Sequence, residues 1–201
     1  MSHYFKNDDA LPSEEFIVTY TLGGENFTLT SDRGVFSKNK IDAGSAALLK
    51  VIYEQGIDGK VIDLGSGIGV IGITLKVLFP NIQVTMLEIN KRALNLAKRN
   101  WDAYQLATSD IRLSDVYSAI NKGETFDAII VNPPIRAGKQ IVYKMLGESH
   151  EHLNLGGALY FVMRKSHGAK SAKTYVESVF GNCDLLKRHK GYYIYSAKKT
   201  N

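Results

Sequence analysis

From Lys60 onward, short β-prone apolar runs alternate with longer stretches whose apolar residues recur at helical spacing. The pattern predicts a strand over 61–64, a largely apolar helix over 70–79 and a second strand over 83–87. Asn90 then caps a helix with an inner stripe of Leu94, Ala97, Trp101 and Tyr104, while Lys91, Arg92, Lys98 and Arg99 point elsewhere. A weak strand over 108–113 precedes a stronger one over 126–131. A helix over 139–153 follows, carrying Val142, Met145, Leu146 and Leu153. A strand over 158–163, a helix over 171–180 and two strands, 184–188 and 191–196, complete the chain, the last pair turning at Lys190-Gly191. Before Lys60, the β-prone runs 16–20 and 27–30 flank Gly23-Gly24, a hairpin signal. Asp42 or Ser45 caps a helix bearing Leu48, Leu49, Ile52 and Tyr53.

Strands alternating with helices imply an α/β fold, a Rossmann-like, doubly wound sheet that is mostly parallel and covered on both faces. The expected sheet has seven strands. The tight turn between the last two requires one antiparallel member near the C-terminal edge. Residues 1–33 are expected to form a small N-terminal β-hairpin extension and residues 34–201 the main domain. The 201-residue length suits a single such domain. No apolar run is long enough to span a bilayer, the N-terminus has no signal-peptide core, and a lone cysteine, Cys183, suits the reducing cytoplasm. A net charge of +5 points only modestly toward an acidic partner such as nucleic acid.

Candidate chemistry gathers at two strand ends. Asp63-Leu64-Gly65-Ser66-Gly67-Ile68-Gly69 sits where a strand becomes a helix, so its glycines permit positive φ and close backbone approach to a ligand. Glu88, ending the next strand, can accept from both hydroxyls of a ribose. The glycine spacing also fits a dinucleotide fingerprint, and a turn serving only tight packing is the bland alternative. Asp63 tips the balance. A carboxylate there repels a pyrophosphate but suits the ammonium group of S-adenosylmethionine.

The strand over 126–131 runs directly into Asn132-Pro133-Pro134. Two prolines end a strand and stiffen the turn, which is the whole of the structural alternative. At a ligand-binding sheet edge, the Asn132 side-chain oxygen and the Pro133 carbonyl become two fixed acceptors for a planar NH2 group. Holding both hydrogens localises the nitrogen lone pair for in-line displacement at a sulfonium methyl, with no general base required. The weaker candidates are cationic and aromatic. Arg136 and Lys139 beside the clamp, with Lys40, Arg164 and Lys165 further off, could hold phosphates or form a solvated rim. His150-Glu151-His152 reads as a surface cluster rather than a metal site, and the Tyr192-Tyr193-Ile194-Tyr195 run as strand packing before an aromatic RNA platform. Cys183 reads as inert packing.

These residues carry a family resemblance. The segments 63–69 and 132–134 together with Glu88 resemble the class I S-adenosylmethionine-dependent methyltransferases of the amino-methylating branch. More narrowly, Gly34-Val35-Phe36-Ser37, Asp42-Ala43-Gly44-Ser45 and Asn132-Pro133-Pro134-Ile135-Arg136-Ala137-Gly138-Lys139 resemble the RsmC family, which methylates the exocyclic amine of guanine in small-subunit ribosomal RNA. The resemblance implies S-adenosylmethionine contacts at Asp63, Gly65, Ser66, Gly67, Gly69, Glu88 and Asn132. It also places Asp115 and Val116 at the adenine, and Asn132, Pro133 and Pro134 in the catalytic clamp. Ile135, Arg136 and Lys139 fall to the substrate, and Phe36 and Ser37 to a closing segment. No metal is implied, RNA is the expected partner, and the oligomeric state is open. Two departures stand out: longer relatives carry a second N-terminal domain, and Ile135 occupies a position where many relatives have a stacking aromatic. Adenine amines, a protein glutamine amide, a nicotinamide dehydrogenase and a non-catalytic RNA binder are the competing readings.

Overall fold

The computed structural model describes residues 12–33, 35, 40–108 and 110–201. Its centre is a seven-stranded sheet formed by β3 (Lys60–Leu64), β4 (Gln83–Glu88), β5 (Asp110–Leu113), β6 (Phe126–Val131), β7 (Leu153–Arg164), β8 (Asp184–His189) and β9 (Tyr192–Lys198). The spatial order is β5-β4-β3-β6-β7-β9-β8. β5, β4, β3, β6 and β7 pair in parallel, and β9 runs antiparallel to both β7 and β8. The antiparallel strand thus lies one place in from the edge. The short turn after β8 reverses the chain once, so β8 runs with the parallel strands and β9 runs against them, in the space beside β7.

Because both faces of the sheet are covered, its strands alternate between two cores rather than between core and water. Val61, Met86, Ala128, Ile130, Val162 and Ile194 join the core under α1 (Ala43–Gln55), α2 (Val70–Leu78) and α3 (Lys91–Ala103). Ile62, Leu64, Leu87, Ile129, Val131 and Phe161 join the core under α4 (Lys139–Gly147) and α6 (Ala169–Phe180). Asp63 and Glu88 fall on the α2 face by the same alternation.

β1 (Glu15–Leu22) and β2 (Glu25–Asp32) form the expected hairpin, with positive φ at both Gly23 and Gly24, as a tight two-residue turn requires. Its inner face is part of the first core: Val18 and Leu29 are fully buried, and Phe27 stacks between Tyr20 and Tyr104. Asn100 of α3 fastens it, accepting from Thr30 N–H at 2.8 Å and donating to Thr30 O at 2.9 Å and Ile68 O at 3.0 Å. The hairpin is thereby tied to the loop that follows β3.

Several expectations need correction. The helix expected over 139–153 ends at Gly147 and resumes only as the short α5 (Ser149–His152). The carbonyls of Met145 and Leu146 take hydrogen bonds from the hydroxyls of Tyr117 (2.8 Å) and Ser149 (2.5 Å), so side chains displace the helical ladder there. β7 starts earlier than expected, at Leu153, but a register shift leaves residues 154–157 bulged, and regular pairing with β6 resumes at Ala158. β5 starts at Asp110, two residues later than expected, after a left-handed Thr108. Tyr53, expected on this helix beside Leu48, Leu49 and Ile52, is 41% exposed and lies against Phe79, whereas those three are fully buried. Among the described residues, no helix is long and apolar enough to cross a membrane.

Candidate active site

Parallel strands end on one side of a sheet, so the loops after β5, β4, β3 and β6 stand next to one another. They carry, in that order, Asp115, Glu88, the segment 65–69 and Asn132. Residues remote in sequence therefore line a single edge, the position at which α/β folds bind ligands.

The loop after β3 is held open by backbone bonds. Gly65 N–H and Ser66 N–H both donate to Leu87 O, at 2.8 and 3.1 Å, and Gly69 N–H donates to Ser66 O. Gly65, Gly67 and Gly69 all have positive φ, and Gly69 caps α2 in the left-handed conformation. Close packing explains Gly72: a Cβ there would stand 2.6 Å from Met86 Sδ and 3.2 Å from Asp63 Oδ2.

Asp63 is buried under this turn and accepts from Gly72 N–H at 2.8 Å. Burial, reinforced by the neighbouring Glu88 charge, pushes its carboxyl up to about 7. Glu88 is also buried. Its two oxygens accept from Gly67 N–H at 2.7 Å and Asn90 N–H at 2.8 Å, while burial raises its pKa. A backbone hydrogen bond from Ile89 also favours the Glu88 carboxylate, which as a carboxylate has about four acceptor sites in all. The Ser66 hydroxyl is buried with no partner among the described residues. An orphaned hydroxyl within a glycine cradle, flanked by two carboxylates, fits a polar adenosyl cofactor with a cationic end.

Asn132 shows the most informative geometry. Its amide nitrogen donates both hydrogens inside the protein, to Asp42 Oδ2 and Ser45 Oγ, each at 2.8 Å. The Asp42 carboxylate can only accept in that pairing, which fixes the amide with Oδ1 turned away from α1. The same Asp42 oxygen caps α1 through Ser45 N–H at 3.0 Å. Gly44 makes this approach possible, since a Cβ there would lie 2.9 Å from Asp42 Oδ2 and 3.1 Å from the Tyr192 ring. Among the described residues, no hydrogen bond reaches Asn132 Oδ1 or Pro133 O, whereas Pro134 O accepts from Ala137 N–H at 2.9 Å. Two adjacent acceptors are thus left at the strand end, beside the glycine loop.

The remaining expected residues distribute around this centre. Asp115 is exposed at the end of β5, its amide held by the Ser118 hydroxyl at 2.9 Å, and Val116 is buried with φ of 54°. Ile135 is half-buried against the second core and begins a single 3-10 turn (Ile135–Ala137). Arg136 and Lys139 are exposed, with Lys139 over the Tyr143 ring at 4.9 Å. Gly34, Phe36 and Ser37 lie outside the described residues. The expected surface cluster at His150 and His152 is instead packed inward: His150 meets Phe180 edge-on at 4.9 Å and His152 stacks on Tyr117 at 4.4 Å. Ile194 and Tyr195 are buried in the sheet, and burial pushes the Cys183 thiol up to about 12, so both read as packing. Asp42 and Ser45 were expected as helix caps and as part of a family-like segment, with no role at the site. Their bond to Asn132 spans about ninety positions, and no local pattern signals a pairing at that separation.

A doubly wound sheet, a glycine turn over buried carboxylates and a rigid acceptor pair on the next strand define an S-adenosylmethionine-dependent methyltransferase. Within that class the chain belongs to the methyltransferase small domain family, whose pattern matches residues 26–196. It is 36% identical over 198 residues to the uncharacterised protein YbxB of Bacillus subtilis, covering 98% of each chain. It is 32% identical over 206 residues to ribosomal RNA small subunit methyltransferase C of Vibrio cholerae, covering 98% of this chain but 57% of that one. Among solved structures it resembles T. thermophilus 16S rRNA N2 methyltransferase RsmC in complex with AdoMet and guanosine, with a TM-score of 0.85 and 26% identity, over 94% of this chain and 52% of that chain. The chain therefore spans about half the length of these named rRNA methyltransferases.

Proposed function

We propose that the protein transfers a methyl group to an exocyclic amine of RNA, with guanine N2 of small-subunit ribosomal RNA as the target. The observation that carries this reading is the fixed orientation of Asn132, whose NH2 is consumed by Asp42 and Ser45 so that its oxygen is left to accept. An aromatic amine is a poor nucleophile because its lone pair is delocalised into the ring. Acceptance of one hydrogen by Asn132 Oδ1 and the other by Pro133 O favours the pyramidal nitrogen of the transition state. The proline rings keep that second carbonyl from swinging away, so little reorganisation accompanies reaction. S-adenosylmethionine supplies the electrophilic methyl, and Glu88, Ser66 and the glycine turn are the residues suited to holding its nucleoside. Asp63 favours its positive charge, and Asp115 and Val116 stand where the adenine would lie. Ile135 offers aliphatic contact to the target base, and Arg136 and Lys139 offer charge to its phosphates.

The RNA assignment is supported by the relatives named for ribosomal RNA, and such a substrate implies work in the cytoplasm. Incubation with isotope-labelled S-adenosylmethionine and either unmodified small subunits or free ribosomal RNA tests the reading. The expected result is label in RNA as N2-methylguanine. Label in adenine would replace the target base, and label confined to protein would overturn the RNA assignment in favour of an amide substrate.

A further inference from the structure

The arginines divide sharply by position. Arg33, Arg92, Arg99 and Arg112 each hold a carboxylate, Glu14, Asp32, Glu15 and the Asp110–Glu124 pair respectively. All four lie toward the hairpin, α3 and β5. Among the described residues, no carboxylate pairs with Arg136, Arg164 or Arg188, and Arg164 and Arg188 sit at the opposite end of the same sheet edge. Lys165, next to Arg164, is also exposed and makes no ion pair among the described residues, whereas Lys187 is occupied by Glu54 at 3.0 Å.

Strand register brings these cations to one sheet edge, Arg164 on the face that carries α1 and Arg188 on the face that carries α6, so that they straddle it. Arg164 of β7 pairs with Tyr192 of β9, which pairs in turn with His189 of β8; one step inward, Tyr193 pairs with Arg188. Lys165 N–H donates to Gly191 O at 2.8 Å, binding the β8–β9 turn to the end of β7. The Arg164 guanidinium lies 5.6 Å from the Tyr192 ring and that of Arg188 5.2 Å from Tyr193. A guanidinium stacked on an aromatic is pre-ordered, yet its N–H edge stays open for bidentate phosphate contact. Neighbouring strands are about 4.8 Å apart, so the row begins beside Asn132 on β6 and extends some 14 Å to β8. Among the described residues, the exposed large apolar side chains, Ile17, Tyr53, Leu113 and Leu155, lie outside this segment, which among them lacks the apolar centre of a protein interface.

We propose that the ends of β7, β9 and β8 form a track for the RNA backbone, with Arg164, Lys165 and Arg188 holding phosphates on one side of the nucleotide presented to Asn132. This rests on the RNA reading above. The triple variant Arg164→Glu/Lys165→Glu/Arg188→Glu changes exposed side chains only, and unchanged S-adenosylmethionine affinity and melting temperature verify its fold. Binding to a ribosomal RNA fragment is measured across a salt series for this variant, the wild type and a matched control, Lys50→Glu/Lys98→Glu/Lys122→Glu. The track requires at least about a tenfold loss of RNA affinity, with a log–log salt slope shallower by about 2, against a small change in the control. Wild-type affinity and slope in the track variant, or an equal loss in the control, overturn the track alone. A wild-type chain that neither binds nor methylates RNA overturns the RNA reading and the track with it.

Discussion

At the scale of single residues, the site depends on which atoms are already engaged. Asn132→Ala removes an acceptor useful only as the amine becomes pyramidal, so kcat should fall by about a hundredfold or more while S-adenosylmethionine affinity, read by calorimetry, stays near wild type. Unchanged turnover would end the clamp hypothesis. Asp42 offers a finer test because it caps α1 and also orients the amide. Asp42→Ser keeps a capping oxygen but is too short to reach Asn132, so stability should hold within about 1 kcal/mol while kcat drops. Asp42→Asn keeps an oxygen that can serve both partners and should restore most of the rate. Asp63 yields a pH prediction. Its folded pKa of about 7 lies above the ordinary 3.8, so the native state keeps a proton that the unfolded chain releases. The stability linked to that group is full below the ordinary value and is lost as pH rises through 7. The melting-temperature advantage of Asp63→Asn over wild type should therefore grow from about pH 4 to about pH 7 and level off above. An advantage independent of pH would contradict the burial argument.

At the scale of elements, the chain's local signals were strongest where periodicity was clean. The strands β3, β4 and β6, the Asn90 cap and the two-glycine hairpin were legible because each is fixed by neighbours in sequence. The break between α4 and α5 was not, since the hydroxyl that takes the Met145 carbonyl comes from Tyr117, 28 positions away. Packing of the hairpin was equally hidden. Asn100 spends its whole amide on Thr30 and Ile68 and is buried in α3, where a polar residue gives no local hint of its partners. Asn100→Ala leaves three backbone groups to find new partners and should cost about 2–4 kcal/mol in denaturant unfolding. Hydrogen exchange should also quicken in both β2 and the glycine turn. Faster exchange in β2 alone would mean that the hairpin is not coupled to the cofactor loop.

At the scale of the whole molecule, the net charge of +5 says less than its distribution. Acidic partners occupy the arginines at one end of the sheet edge and leave those at the other end open. RNA affinity should accordingly fall steeply with salt, whereas S-adenosylmethionine affinity should change little between 50 and 200 mM by the general counterion-release argument. A flat salt response for RNA would point to base contacts alone. What the sequence determined by itself was the class of fold, the glycine turn and the stiff Asn132-Pro133-Pro134 strand end, because strand period, glycine φ and proline geometry act over a few residues. Tertiary structure alone decided which way the Asn132 amide faces, how far Asp63 is removed from water and which cations are left unpaired. Each of those depends on a charge or acceptor brought from a distant part of the chain, and only the folded sheet sets that distance.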